Sequence, residues 1–232
     1  MRCVYLIAAS AGIIFSFCFL VFVYAYALNG RQWVDSVDDS IGEIVARRAK
    51  GHLRAGQTEE AIRTYFQAAR LSFDDRRQRD YVLRGLGELL VENDRPEEAI
   101  PVLQECVALF PDDMLARMAL ANAFRKTEDW AGLVEMTSAW AASAVEYGKL
   151  QSASFAKYRQ GQAYEALDRH DDAVKAYLEG HALDPESVNA FHAGALLLKR
   201  GMREEALPLL RRYVEGHDDW RARRAAQMIE GQ

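Results

Sequence analysis

The sequence predicts an all-α fold: a solenoid of about five helical hairpins, closed by a C-terminal helix and preceded by one membrane-spanning helix. Three observations predict it. First, a small or apolar residue is followed twelve positions later by another at Ala49 and Ala61, Gly87 and Ala99, Ala121 and Leu133, Gly161 and Ala173, and Gly194 and Ala206. Recurrence of this kind is written by stacked units, each of which buries an apolar face on its neighbour. Second, 50% of the 232 residues are apolar and only five are proline, the composition of an ordered and mostly helical chain. Third, Cys3 to Gly30 carries no charge.

That uncharged stretch is about 40 Å long as a helix at 1.5 Å per residue. It exceeds the roughly 30 Å hydrocarbon core and can span it with some tilt. Phe15, Phe17, Phe19, Leu20, Val21, Phe22 and Val23 form its apolar centre, and Tyr24 and Tyr26 fall where phenols favour the headgroup level. A cleavable signal peptide is the competing reading, because Ala25-Tyr26-Ala27 has the small-x-small form. The apolar region is longer than such signals use, which favours an anchor. The short N-terminal flank and the A-x-A favour an extracytoplasmic, periplasmic body, while Arg31, Arg47, Arg48 and Lys50 pull the other way. Ala8, Gly12 and Ser16 share one face of the span, a spacing common in membrane helices. Residues 1–30 are thus read as anchor or uncleaved signal, 31–41 as a stalk holding Trp33, 42–218 as the hairpin array, and 219–232 as a capping helix and tail.

The second hairpin is the clearest. Leu83-x-x-Leu86-Gly87-x-x-Leu90 leads to Ala99-x-x-x-Leu103 and then Pro111. The fourth reads Gly161-x-x-Tyr164, Ala173-x-x-x-Tyr177, Pro185; the fifth reads Ala193-Gly194-x-x-Leu197, Ala206-x-x-x-Leu210. The segment from about residue 42 to 218 resembles the tetratricopeptide repeat family, whose pattern is W-x-x-L-G-x-x-Y, A-x-x-x-F, P. The resemblance implies a right-handed superhelical solenoid, no enzymatic activity, and protein partners held on the concave face.

A mid-helix glycine is tolerated where two helix backbones approach. Gly87, Gly161 and Gly194 are read as such points, matched by Ala99, Ala173 and Ala206 on the second helix of each pair. The larger Tyr164, Tyr177, Leu90, Leu103, Leu197 and Leu210 are expected between neighbouring hairpins. The first unit departs from the pattern at Ala49 and Phe73, the third at Ala121 and Leu133. The third runs on through Trp140 to Tyr147, predicting a longer or bent second helix. Pro101 is expected to bend the second helix of its unit. Asp184 is expected to cap a helix beginning at Pro185. Asp218 to Ile229 is read as the cap, with Trp220, Ala225, Met228 and Ile229 covering the last hairpin while Arg221, Arg223 and Arg224 face water.

A net charge of −5 lacks the basic footprint of a nucleic-acid binder. Cys106 is the one cysteine beyond the apolar stretch, so the body has no internal disulfide framework. The sequence holds no H-E-x-x-H, P-loop, G-x-S-x-G or C-x-x-C. His170-Asp171-Asp172 has metal-ligand residue types, but its position opening a helix reads as charge compensation, as do Glu59-Glu60 and Glu204-Glu205. No cofactor is expected.

The resemblance places the first helix of each hairpin on the concave face. A one-sided stripe there gives Tyr81, Arg84, Glu88 and Val91, then Leu115, Met118, Asn122 and Arg125, then Phe155, Tyr158, Gln162 and Glu165, then Val188, Phe191, Ala195 and Leu198. Of these, Tyr81, Arg84, Met118, Asn122, Arg125, Phe155, Tyr158, Gln162 and Phe191 are the expected partner-binding residues. Aromatic and arginine anchors are enriched at binding hot spots. Some members of the family clamp a peptide carboxylate with basic residues and asparagines. Arg84, Asn122, Arg125 and Lys126 resemble part of such a clamp, while the first unit offers Lys50 and Arg54 without an asparagine. The expected function is a membrane-tethered adaptor or assembly scaffold holding a partner segment. The alternative is a homo-oligomerising structural component of a membrane complex.

Overall fold

The first helix of each hairpin ends where the backbone turns left-handed. The computed structural model describes residues 44–71, 73 and 76–231, and among them regular structure is helical throughout. The predicted membrane helix and stalk lie outside the described residues. Among the described residues no helix is long and apolar enough to cross a membrane. The helices are α1 (residues 44–54), α2 (Thr58–Ala69), α3 (Arg76–Glu92), α4 (Pro96–Leu109), α5 (Met114–Lys126), α6 (Trp130–Glu146), α7 (Leu150–Ala166), α8 (His170–Leu183), α9 (Asn189–Lys199), α10 (Arg203–Gly216) and α11 (Trp220–Glu230). The order gives five successive helical pairs, as the spacing predicts, α1/α2, α3/α4, α5/α6, α7/α8 and α9/α10, followed by α11.

One turn closes all five pairs. Gly56, Asp94, Glu128, Asp168 and Gly201 each have positive φ, between 55° and 78°. Each lies seven residues after the first marker of its unit. The next residue's N–H reaches back five residues, from Gln57 to His52, Arg95 to Leu90, Asp129 to Phe124, Arg169 to Tyr164 and Met202 to Leu197, at 2.8–3.0 Å. This Schellman bond satisfies a carbonyl that the helix end would leave open.

The chain divides into two compact units, residues 1–86 and 87–232. In the first, Ala49, Ala61, Ile62, Tyr65, Ala68, Val82, Leu83 and Leu86 are buried, and the Tyr65 and Tyr81 hydroxyls are 3.3 Å apart. In the second, each helix packs on the next, and the odd-numbered helices also meet: α5 with α7, α7 with α9, and α9 with α11. The Cα atoms of α6 and α8, and of α8 and α10, do not approach within 8 Å. The odd helices therefore form the inner layer of this unit and the even ones the outer layer.

The glycines carry the close approach, though against a different residue than the sequence suggests. A Cβ on Gly87 would lie 2.3 Å from Leu103, one on Gly161 2.4 Å from Tyr177, and one on Gly194 2.7 Å from Leu210. Their direct partners are thus the bulky residues four positions beyond Ala99, Ala173 and Ala206, which are themselves fully buried. Leu103, Tyr177 and Leu210 were expected between hairpins. They press on the glycine of their own hairpin, and Tyr177 also packs with Ala193, Leu196 and Leu197 of α9.

One further expectation holds and several need correction. α6 has 17 residues against 14 in α4, α8 and α10, the predicted extension. α4 continues through Pro101, and α10 through Pro208, which holds the same place two residues after its marker alanine. α9 begins at Asn189 rather than Pro185. Asp184 instead closes a turn, accepting from the Glu186 amide at Oδ1 (3.2 Å) and from the Ser187 hydroxyl at its carbonyl (2.6 Å). The delay is set by Asn189, fully buried, whose Nδ2 donates to the Ser154 carbonyl, the Ser154 hydroxyl and the Ser187 hydroxyl at 3.0–3.1 Å. Ser154 in turn donates to the Gly180 carbonyl at 2.8 Å, so one polar knot ties α7, α8 and α9. In the cap, Ala222 and Ala225 are buried, with Met228 and Ile229 packed beside them. Trp220 remains 58% exposed. Arg221 is half-buried, its guanidinium 4.7 Å from the Trp220 ring, and does not simply face water.

Candidate functional site

The inner layer of the second unit brings together most of the predicted partner-binding residues. On α7, Phe155, Tyr158, Arg159 and Gln162 recur at three- and four-residue steps and are all half-buried. Arg159 stands at the centre. Its Nη1 donates to Gln162 Oε1 at 3.1 Å and its Nη2 to Asn122 Oδ1 of α5 at 3.3 Å. Gln162 Nε2 donates to the Tyr158 hydroxyl at 2.9 Å. The guanidinium lies 5.2 Å from the Phe155 ring and 5.7 Å from the Tyr158 ring, within cation–π range. Burial lowers its pKa from the usual arginine value, Tyr158 opposes that shift, and the neighbouring cation Arg125 adds to it. An arginine nevertheless keeps its proton in proteins. Neither Arg125 nor Arg159 has a carboxylate partner among the described residues. A charge half out of water and held only by neutral amides is only partly compensated.

The predicted stripe missed Arg159 because it followed three-residue steps from Phe155 to Tyr158 and skipped the four-residue neighbour, which shares the face. It also missed His192. That ring lies 5.0 Å from Tyr158, 5.4 Å from Tyr177 and 5.2 Å from Phe191. Burial, and then Arg221, push the imidazole down to about 4, so it is neutral at physiological pH. Beside it opens a depression of about 490 Å³ lined by Glu165, His192, Ala195, Leu196, Leu198, Lys199 and Met228. Glu165 accepts from the buried Tyr177 hydroxyl at 2.5 Å; burial first, and then this carboxylate, drive that phenol's pKa up.

Phe191 is not a groove residue. It is buried among Ala190, Leu210, Tyr213, Ala222 and Ala225 and belongs to the core beneath the cap. Met118 is half-buried, packed with Phe155 on the cluster of Trp140, Ala141, Ala144, Ala153 and Ala156. Lys126 is occupied elsewhere, with Nζ 2.5 Å from Asp94 Oδ1 and 2.8 Å from the Val91 carbonyl; its hydrogen bond and charge lower the Asp94 pKa. The clamp residues therefore do not converge: Lys126 braces a turn and Asn122 holds Arg159. Tyr81 and Arg84 lie in the first unit, where Lys50 Nζ sits 4.3 Å from the Tyr81 ring centre. In the cluster that opens α8, Asp171 pairs with Arg200 at 2.6 Å and Asp172 with Arg169 at 2.7 Å.

The class that fold and face define is that of helical-hairpin repeat proteins, and the comparisons give it a name. Two tetratricopeptide repeat models match, one over residues 82–123 and the other over residues 156–187. The TPR repeat-containing protein YpiA of Bacillus subtilis (strain 168) is 23% identical over 180 residues, 77% of this chain. The chain spans 40% of the length of that curated relative. Among solved structures, MamA from Desulfovibrio magneticus RS-1 (residue 41 to its end) superposes with a TM-score of 0.56 at 19% identity, covering 75% of this chain and 94% of that one. A Podosopora anserina putative kinesin light chain with nearly identical TPR-like repeats gives 0.58 at 17% identity, covering 84% and 99%. At these identities the likeness establishes the fold.

Proposed function

We propose that this chain is a non-enzymatic interaction scaffold that holds a segment of a partner protein against the inner face of α5, α7 and α9. The observation that carries the reading is Arg159: a half-buried cation, fixed by two amides and set on two aromatic rings, without a carboxylate of its own. A partner carboxylate opposite Arg159 and Arg125 would complete the charge, and an adjacent apolar side chain would enter the depression at Ala195, Leu198 and Met228. Residues 1–30 tether the body to the membrane in this reading, on the extracytoplasmic side, so that modest contacts act at high effective concentration.

Arg159→Gln and Tyr158→Ala in the full chain should each reduce capture of a cross-linkable partner in membranes while helix content stays unchanged. Unaltered capture in both would end the groove reading. Protease accessibility in the same membranes reports the side. Self-assembly is the second reading, favoured by the exposed apolar Met114 and Tyr147, which together line a small cleft of α5 and α6. A monodisperse full chain in detergent would count against it.

A further inference from the structure

Charge is divided unevenly along the chain. Residues 44–86 carry ten lysines and arginines against five aspartates and glutamates, whereas residues 87–232 carry 17 against 25. The excess is densest on α1. No acid occurs from Ile44 to Thr58, and Arg47, Arg48, Lys50 and Arg54 fall within that span. Ala46 and Ala49 bury one side of α1. Ile44, Arg47, Arg48, Gly51 and Arg54 recur at three- and four-residue steps on the opposite side, and all five are exposed. Ile44 is 59% exposed, an apolar residue at the edge of a cationic stripe. At the flank a depression of about 300 Å³ has Ala46, Phe73 and Tyr81 in its walls and Arg47, Lys50 and Arg77 among its lining cations. Exposed cations beside an exposed apolar side chain suit a phosphodiester headgroup that carries an apolar remainder.

We propose that the α1 face of the first unit is a contact surface for anionic phospholipid, with headgroup phosphates on Arg48, Lys50 and Arg54 and Ile44 entering the interface. The distance is suitable: Ile44 follows Gly30, the end of the uncharged stretch, by 14 residues. That is at most about 50 Å of extended chain. Clusters of basic residues are drawn to anionic leaflets only within a Debye length of about 8–10 Å, so the tether lets α1 reach the surface and the charges act once it lies against it. The inference rests on the membrane reading of residues 1–30 only for proximity; the basic face itself stands on the composition and burial of α1.

The test uses the full chain with phosphatidylcholine vesicles and with vesicles containing about 30 mol% phosphatidylglycerol. Flotation on neutral vesicles reports the anchor, independently of the α1 face. Where the chain floats on both, amide exchange over residues 44–54 should be several-fold slower on anionic vesicles. That protection should vanish at about 0.5 M salt and in the triple variant Arg48→Glu, Lys50→Glu, Arg54→Glu. Where it floats on neither, the proposal is overturned. Where it floats on anionic vesicles alone, the anchor reading fails, the face is supported, and the triple variant should lower partitioning on the order of a hundredfold. The paired variant Arg223→Glu, Arg224→Glu on α11 should change nothing. Equal exchange of residues 44–54 on both vesicle types overturns the proposal. So does self-association without lipid that the triple variant abolishes, because it would assign the face to a second copy.

Discussion

Replacing Gly161 with alanine places a Cβ 2.4 Å from Tyr177 Cε1, 2.6 Å from Cζ and 2.7 Å from Cδ1. Ordinary contact would need about 1 Å more at each. The ring has nowhere to go: Tyr177 is fully buried, its hydroxyl is bonded to Glu165, and its far side meets His192 at 5.4 Å. Overpacking of this kind costs about 1–3 kcal/mol. Alanine returns up to about 1 kcal/mol of helix propensity, leaving a net loss of about 0–2 kcal/mol. Tyr177→Ala alone empties the site and should cost about 3–5 kcal/mol. Because the two residues fill one space, the double variant should cost at least about 1 kcal/mol less than the two single losses combined. Gly51→Ala is the control. A Cβ there meets nothing within 4 Å, so it should gain about 0.5–1 kcal/mol. Urea denaturation of the full chain in mild detergent, followed by circular dichroism, reads the parent and all four variants. Additivity to within about 0.5 kcal/mol, or a stabilised Gly161→Ala, would refute the close-approach account.

Three further outcomes are expected. The imidazole of His192 is pushed from 6.5 down to about 4 by burial and then Arg221, so as pH falls below about 6.5 the unfolded chain takes up its proton first. Stability on the order of 3 kcal/mol is then lost between about pH 6.5 and 4, and pH-dependent denaturation of His192→Gln should show a flatter slope across that window. Asn189→Ala removes the amide that binds Ser154 and Ser187 and empties a fully buried site; it should cost about 1–3 kcal/mol, with faster amide exchange at the start of α9 as the local readout. Glu128 holds φ at 56° with an L side chain, so Glu128→Gly should stabilise by about 1 kcal/mol, read as a rise of about 2–4 °C in Tm for a chain of this size.

What the sequence displayed was the part of the fold that repeats. Ala49, Ala61, Gly87, Ala99, Gly161, Ala173, Gly194 and Ala206 fix the hairpin count and pairing because each sits where only a small side chain fits, and that constraint recurs at a constant spacing. The long α6 showed as a run of helix-compatible residues beyond Leu133. The cap showed as an amphipathic end, although Trp220 gave a false apolar signal: its ring lies outside the cap core, 6.1 Å from Phe191 and beside Arg221. The parts that do not repeat were hidden. Asn189 delays α9 through bonds to Ser154, 35 residues earlier, and no local pattern marks such a partner. Phe191 and His192 are neighbours in sequence with opposite fates, one under the cap and one on the inner face, and an uncertainty of one residue in helix phase exchanges them. Arg159 was hidden differently: it shares the face of Tyr158 but lies at the four-residue step that the stripe did not follow. The left-handed turns at Asp94, Glu128 and Asp168 carry no glycine, so only their distance from the unit marker betrays them.

The central claim is that the inner layer, and not the outer one, meets a partner. A photo-activated cross-linker placed at Gln162 on α7 and, separately, at the exposed Lys175 on α8 tests it in intact membranes. The account predicts a discrete cross-linked species from position 162 that is lost with Arg159→Gln, and none from position 175. Equal products from both positions, or a product from position 175 alone, would contradict it.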